Sequence, residues 1–309
     1  MEKTKATTTE TVLSPQTVPP WRDTRVRRNY QRRRIYDKIV KVLVIVALVL
    51  ILYPLLDMLY MFAYRGLSVL NVTMLTESTV GTGLGGGGIA NAIQGSLVLL
   101  GLSALISVPL GIFGGVYLSE FASPRSRFAS AVRFISDVLA AVPSIVLGYV
   151  GFLLFVLYFG WGYSALAGAV TLSILMLPYI LRTTELAIRR VPEGIREGAI
   201  ALGSTKTSLI NRLTLRFALP GIMTGVMLAI SISFSETAPL LYTADFSNYS
   251  PTAVLHQPIA YLTYIVWTFS QQPSQADHNL AYAASFILLS FVFVVNFFAR
   301  IVLKRFSKI

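Results

Sequence analysis

The feature that most constrains this chain is the recurrence of long, almost uncharged apolar runs. A bilayer core about 30 Å thick takes ~20 apolar residues per helical crossing. Six runs of that kind can be drawn, at 42–62, 89–118, 134–159, 163–181, 217–242 and 280–299. In lipid every backbone N–H and C=O must find a partner within the protein, which leaves helices or closed barrels. The runs are continuous and do not alternate, which disfavours a barrel. Of the 309 residues 54% are hydrophobic and 13% charged, where soluble domains carry about a quarter charged. The expected fold is an all-α polytopic membrane protein with about six transmembrane helices.

The cations give the expected topology. With six crossings, all 26 Lys and Arg residues except Arg65 fall on one side of the membrane. The positive-inside rule makes that side cytoplasmic and puts both termini there, in a multi-pass protein of the cell membrane. The apolar stretch 253–269 is a candidate seventh crossing, but His256, Gln257 and Pro258 interrupt it, and a seventh span would put Arg300, Lys304, Arg305 and Lys308 outside. It reads better as an extracytoplasmic helix on or re-entering the surface, with Tyr261, Tyr264 and Trp267 suited to an interface. Residues 1–38 read as a disordered basic cytoplasmic tail. Its cluster from Arg22 to Arg34 suits anionic lipid better than nucleic acid. The first helix, within 39–65, starts too late and runs too long for a signal peptide and reads as an anchor. The net charge of +12 is thus explained by topology, and the absence of Cys excludes disulfides and thiolate metal sites.

The most informative segment is VPEGIREGAIALGSTKTSLINRLTLRFALPGI, residues 191–222. Pro192 suits the first position of a helix and Gly203 a left-handed stop. Between them lies a helix of roughly 16 Å at 1.5 Å per residue. Ile195, Ala199 and Leu202 fall on one face, with Glu193, Arg196 and Glu197 elsewhere. Ser204 or Thr205 can cap the helix that follows. The product is a small-residue-rich knob that can seat in a cleft of another protein and be pushed as a rigid body.

Glu197-Gly198-Ala199, followed after three residues by Gly203, resembles the EAA loop of ATP-binding-cassette importer permeases. Leu213 and Leu215 continue the pattern, while Gly198 replaces its middle alanine and Arg216 its proline. In that family the loop is a coupling helix that docks on the nucleotide-binding subunit. The resemblance therefore marks Pro192, Glu193, Ile195, Arg196, Glu197, Gly198, Ala199 and Gly203 as ATPase-docking residues. A second run, Ser235-Glu236-Thr237-Ala238-Pro239-Leu240-Leu241, closely resembles a segment of phosphate-importer permeases. The likeness extends loosely over 89–300 and implies a permease domain at 89–309 with its coupling loop at 191–216.

Glu236 is also the one carboxylate that this reading puts well inside a span, where an ionisable group usually faces the bundle interior. Ser233 and Thr237 lie close to its face, and Pro239 can kink the helix just beyond. These three residues, Ser233, Glu236 and Thr237, are the expected lining of a translocation pathway; the plainer reading makes Glu236 a structural pairing group. One position departs from the family: Ile232 stands where an arginine is expected four residues before the glutamate, and no Lys or Arg occurs between Arg216 and Arg300. An anion would then rely on a partner's cations, hydroxyls or helix amides.

The resemblance implies a permease subunit that forms half of the pathway for inorganic phosphate. Its implied partners are separate ABC ATPase subunits, a second permease in a heterodimer and an extracytoplasmic phosphate-binding protein. Uptake of another oxyanion or solute, or a channel without ATP coupling, are the competing readings. No Gly-Lys-Ser/Thr phosphate loop is present, so this chain does not hydrolyse ATP. No convergent nucleophile or metal set lies in the spans, so no enzyme and no cofactor is expected. The glycines at 83 and 85–88 read as a flexible loop, His256 and His278 are isolated, and Gly111, Gly114 and Gly115 suit close helix packing.

Overall fold

The computed structural model describes residues 24–81, 87–123 and 125–306. Among these residues the secondary structure is helical, with one isolated antiparallel bridge between Thr79 and Gly87. The chain divides into two compact units, Met1–Tyr60 and Met61–Ile309.

Helix α1, Thr24–Val69, supplies the whole described part of the first unit and ends in the second. The expected disordered tail lies outside the described residues up to position 23. From Thr24 onward the chain is helical, because nothing between Thr24 and the apolar run breaks a helix. Up to Tyr60 nearly all its apolar side chains from Ile39 onward are exposed, so they need lipid as their solvent.

The second unit contains α2 (Val72–Thr76), α3 (Ala90–Val116), α4 (Arg127–Ala141), α5 (Ser144–Gly151) and α6 (Ala165–Arg189). Then follow α7 (Glu193–Ala201), α8 (Lys206–Ser208), α9 (Leu215–Phe234), α10 (Ala238–Thr243), α11 (Leu262–Phe269) and α12 (Gln275–Phe306). Three π-helical stretches extend these elements: Tyr117–Phe121 after α3, Phe152–Tyr158 after α5, and Leu209–Thr214 between α8 and α9.

The centre of the unit is α6, which packs along α3 on one side and α9 on the other. Met176, Ile180, Ile188, Ile222, Val226 and Ala229 are buried in that seam. Close approach is possible because Gly111 and Gly115 of α3 abut Ile180 and Thr184; a Cβ at either glycine would lie 2.6–2.7 Å from those side chains. A second cluster gathers α11 and α12 against the start of α3, with Ile265, Phe269, Ala283 and Ala284 fully buried. Phe234 at the end of α9 stacks on Phe291 of α12 with ring centroids 3.9 Å apart.

Among the described residues five helices are long and apolar enough to cross a membrane: Tyr36–Val69, Ala90–Phe121, Ala165–Arg189, Lys206–Phe234 and Gln275–Phe298. A sixth crossing exists if the pair Arg127–Ala141 and Ser144–Tyr158, bent by 106°, counts as one span. The expected straight span at 134–159 is therefore corrected. Pro143 disfavours helical geometry at the residue before it, and Val142 is extended (ψ 131°), so the run breaks there. By contrast, α3 passes through Pro109 without ending.

The stretch 253–269 contributes only the eight residues of α11, too short to cross. Tyr261 is 1% exposed and belongs to the core, which corrects its expected interfacial place. Trp267, at 57%, is exposed. Backbone contacts fix this element: Leu262 N donates to Ser96 Oγ at 2.8 Å, and Thr263 Oγ1 donates to the carbonyl of Glu236 at 2.9 Å.

Candidate functional site

Two places carry the sequence-predicted residues: the loop between α6 and α9, and the break between α9 and α10.

The loop begins where α6 stops at Arg189. Pro192 precedes the first helical residue and does not occupy it: its ψ of 136° is extended, and its carbonyl accepts from Ile195 N. Glu193 sits in the first turn of α7, where its charge meets the positive end of the helix dipole. The stop is Gly203 at φ +81°, a left-handed conformation that costs glycine nothing. Around it Gly203 N donates to Ile200 O (2.9 Å) and Ser204 N to Ala199 O (3.0 Å). Thr205 then caps α8, its Oγ1 accepting from Ser208 N at 3.3 Å.

No residue of α7 is buried. Ile195 and Ala199 are half-covered, whereas Leu202, the cap just past the end of the helix at Ala201, is 89% exposed. Ile200 beside it is also exposed. A Cβ added at Gly194, Gly198 or Gly203 would meet no neighbour, so Gly198 faces open space where the family has alanine. Glu193 and Glu197 are exposed. Arg196 is the exception to this outward display. Its Nη2 donates to Ile188 O at 3.0 Å, and its Nη1 lies 2.8 Å from Glu120 Oε1.

At the second place, α9 does not run through to residue 242. It ends at Phe234, and α10 restarts at Ala238 with Pro239 in its first turn, where the missing N–H does no harm. Glu236 thus stands in a non-helical link between two helices. Ser233, Glu236 and Thr237 do not share a continuous helical face. Ser233 and Glu236 do line one small cavity, with Ser96, Leu99, Tyr261 and Thr263, and there is room for about one water. Thr237 is not among its lining residues. The Ser233 and Tyr261 hydroxyls are buried without a hydrogen-bond partner among the described residues. Ser144, at the start of α5, reaches the Glu236 carboxylate. The two helix breaks therefore face each other, and Gly148 of α5 lies so close to Pro239 that a Cβ there would be 2.5 Å from the proline's α-carbon. Ile232, the departing position, is half-buried.

Sequence reasoning missed Glu185. Because α6 runs to Arg189, Glu185 is inside a helix and its side chain is fully buried. Three guanidiniums meet it: Arg133 at 2.8 Å, Arg182 at 2.9 Å and Arg189 at 2.7 Å. Arg133 also donates from Nη2 to Leu118 O at 3.0 Å, which joins α4 to the π turn after α3 and to α6. Arg182 and Arg189 stand three and four residues from Glu185, a pairing readable once the helix is extended past 181. Among the described residues no three His, Asp or Glu side chains gather as a metal site would require.

The phosphate transport system permease protein PstA 2 of Mycobacterium bovis is 40% identical over 272 residues, covering 88% of this chain and 89% of that one. The PstA protein of Yersinia pestis is 35% identical over 283 residues, covering 90% and 94%. Among solved structures, a bacterial alginate ABC transporter crystallised with its pentasaccharide-bound periplasmic protein contains a chain that superposes with a TM-score of 0.59. The identity is 16%, with 91% of this chain and 98% of that one covered, so this likeness speaks to fold. A chain of the MetNI methionine ABC transporter superposes at 0.52, with 18% identity over 71% of this chain and 97% of that one. Residues 107–308 match the family described as binding-protein-dependent transport system inner membrane component, and this multi-pass membrane protein belongs to that family.

Proposed function

We propose that the chain is the permease subunit of an ATP-driven importer of inorganic phosphate, contributing half of the translocation pathway. The observation that carries this reading is identity of 40% and 35% to phosphate permeases along nearly the full length of both proteins. The exposed knob α7 supports docking on separate ATPase subunits: Ile200, Leu202 and the Glu193 and Glu197 side chains are all exposed. Pro192, Glu193, Ile195, Glu197, Gly198, Ala199 and Gly203 form that surface or its frame. A second permease chain supplies the other wall, and an extracytoplasmic phosphate-binding protein delivers substrate. The loop with α7 and both termini lie on the cytoplasmic side, which keeps the basic segments inside.

In this reading the α9–α10 break belongs to the pathway. A non-helical backbone at membrane depth persists only where protein or a cavity satisfies it, and Glu236 sits there beside the Ser233 and Tyr261 hydroxyls. ATP-driven closure of the ATPases moves α7, and the helices switch between outward and inward access as rigid bodies.

The test is uptake of radiolabelled phosphate by the four-component assembly in vesicles. Phosphate uptake that needs ATP and resists competing sulfate supports the reading; ATP-driven uptake of sulfate in its place overturns the substrate. Glu236→Ala is expected to lower uptake at least tenfold with assembly intact. Loss of assembly along with uptake would instead make Glu236 a structural pairing group.

A further inference from the structure

The docking helix needs a route into the membrane bundle, and its own packing supplies little. No side chain of α7 is buried, and its glycines touch nothing. Arg196 is its one side chain with polar partners in the bundle: it donates to the Ile188 carbonyl at the end of α6, and its Nη1 lies 2.8 Å from the Glu120 carboxylate as an ion pair by distance, without hydrogen-bond geometry. Glu120 is 6% exposed at its side chain and lies in the π-helical turn Tyr117–Phe121, the continuation of α3. The same turn is gripped at two more points. Lys206, from the far side of the docking loop, sets its ammonium 4.6 Å above the Phe121 ring. Arg133, from α4, donates to the carbonyl of Leu118. Single π turns inside α-helices occur frequently at functional positions. This one receives two cations from the docking loop and a third from the helix that Glu185 anchors.

The other end of the same helix lies at the cavity. Ser96, Leu99 and Leu100 of α3 line it beside Ser233 and Glu236. From Leu99 to Glu120 is about 30 Å along a continuous helix at 1.5 Å per residue. One helix thus runs from the π turn to the cavity beside Glu236.

We propose that the Arg196–Glu120 ion pair is the mechanical link through which the docking helix drives α3, with Glu120 a positioning residue for transport. The proposal rests on α7 being the ATPase-docking helix. A charge pair that is half-buried holds its geometry better than one in water, and its guanidinium is further fixed by the Ile188 carbonyl. Motion of α7 then shifts the end of α3, and α3 carries the shift to the cavity.

The experiment uses the complete transporter in proteoliposomes, with the ATPase subunits, the second permease and a phosphate-binding protein. Three quantities are read: ATPase-subunit binding, ATP hydrolysis, and phosphate taken up per ATP. Glu120→Gln, which keeps shape and removes charge, is expected to leave ATPase-subunit binding within about twofold and to lower phosphate per ATP at least fivefold. Glu120→Arg alone should uncouple more severely, and Glu120→Arg with Arg196→Glu should recover phosphate per ATP several-fold over that single variant. A merely structural carboxylate would lower assembly and leave the ratio of uptake to hydrolysis unchanged. An unchanged ratio in Glu120→Gln, or no recovery in the swapped pair, overturns the proposal. Failure of the unmodified chain to bind ATPase subunits through α7 would overturn the docking reading itself, a separate outcome.

Discussion

Glu185 shows how one buried charge can organise a region. A carboxylate removed from water needs partners, and breaking such a pair costs about 3–5 kcal/mol when the remaining charge stays buried. The three partners are unequal: Arg133 is 20% exposed, Arg182 43% and Arg189 53%. Arg133 also bridges three elements, so Arg133→Met should lower the melting temperature of the detergent-purified protein markedly. Arg182→Met and Arg189→Met should each cost ~1 kcal/mol or less, in line with exposed pairs. Equal losses for all three would contradict this ranking. Sequence shows part of the cluster, since Arg182 and Arg189 stand at helical spacing from Glu185. Arg133 is 52 residues away and only the fold brings it in. The same holds for Glu120 and Arg196: each is an ordinary polar residue in sequence, and their pairing depends on how α3 and α6 lie together.

At the scale of elements, the runs that cross the membrane are legible because lipid demands length and apolarity. Their interruptions are less so. An apolar run looks the same whether it is straight or broken, and α4–α5 and α9–α10 both break within runs that hydropathy alone would join. Pro143 ends one helix through its predecessor, whereas Pro109 lies inside α3 and ends nothing; packing decides between them. Helix α7 is more readable, since Pro192, Gly203 and Thr205 mark its boundaries through local backbone chemistry. Its glycines permit a paired prediction. Gly203→Ala forces a left-handed Cβ at a cost of about 1–2 kcal/mol and should speed amide exchange in α7. Gly198→Ala meets no neighbour and gains up to ~1 kcal/mol of helix propensity, so exchange there should slow. Slower exchange in both variants would show that Gly203 does not hold the stop.

For the second unit as a whole, the helices α3, α6 and α9 form a packed centre with an exposed knob at one end and a small polar cavity further along. The hydroxyls of Ser233 and Tyr261 and the Glu236 carboxylate meet at that cavity, apart from the buried Glu185 cluster. An importer needs such separation, with energy entering at one place and substrate passing at another, and a stiff connection between them. The proposed coupling depends on α7 meeting an ATPase on the cytoplasmic side. The native chain has no cysteine, and Leu202 is 89% exposed at the tip of the knob, so Leu202→Cys offers a single clean label. A membrane-impermeant maleimide should leave it unmodified in intact cells, modify it once the cytoplasmic face is opened, and be blocked when the ATPase subunits are bound. Labelling in intact cells, or labelling that bound ATPase subunits do not reduce, would contradict the assignment.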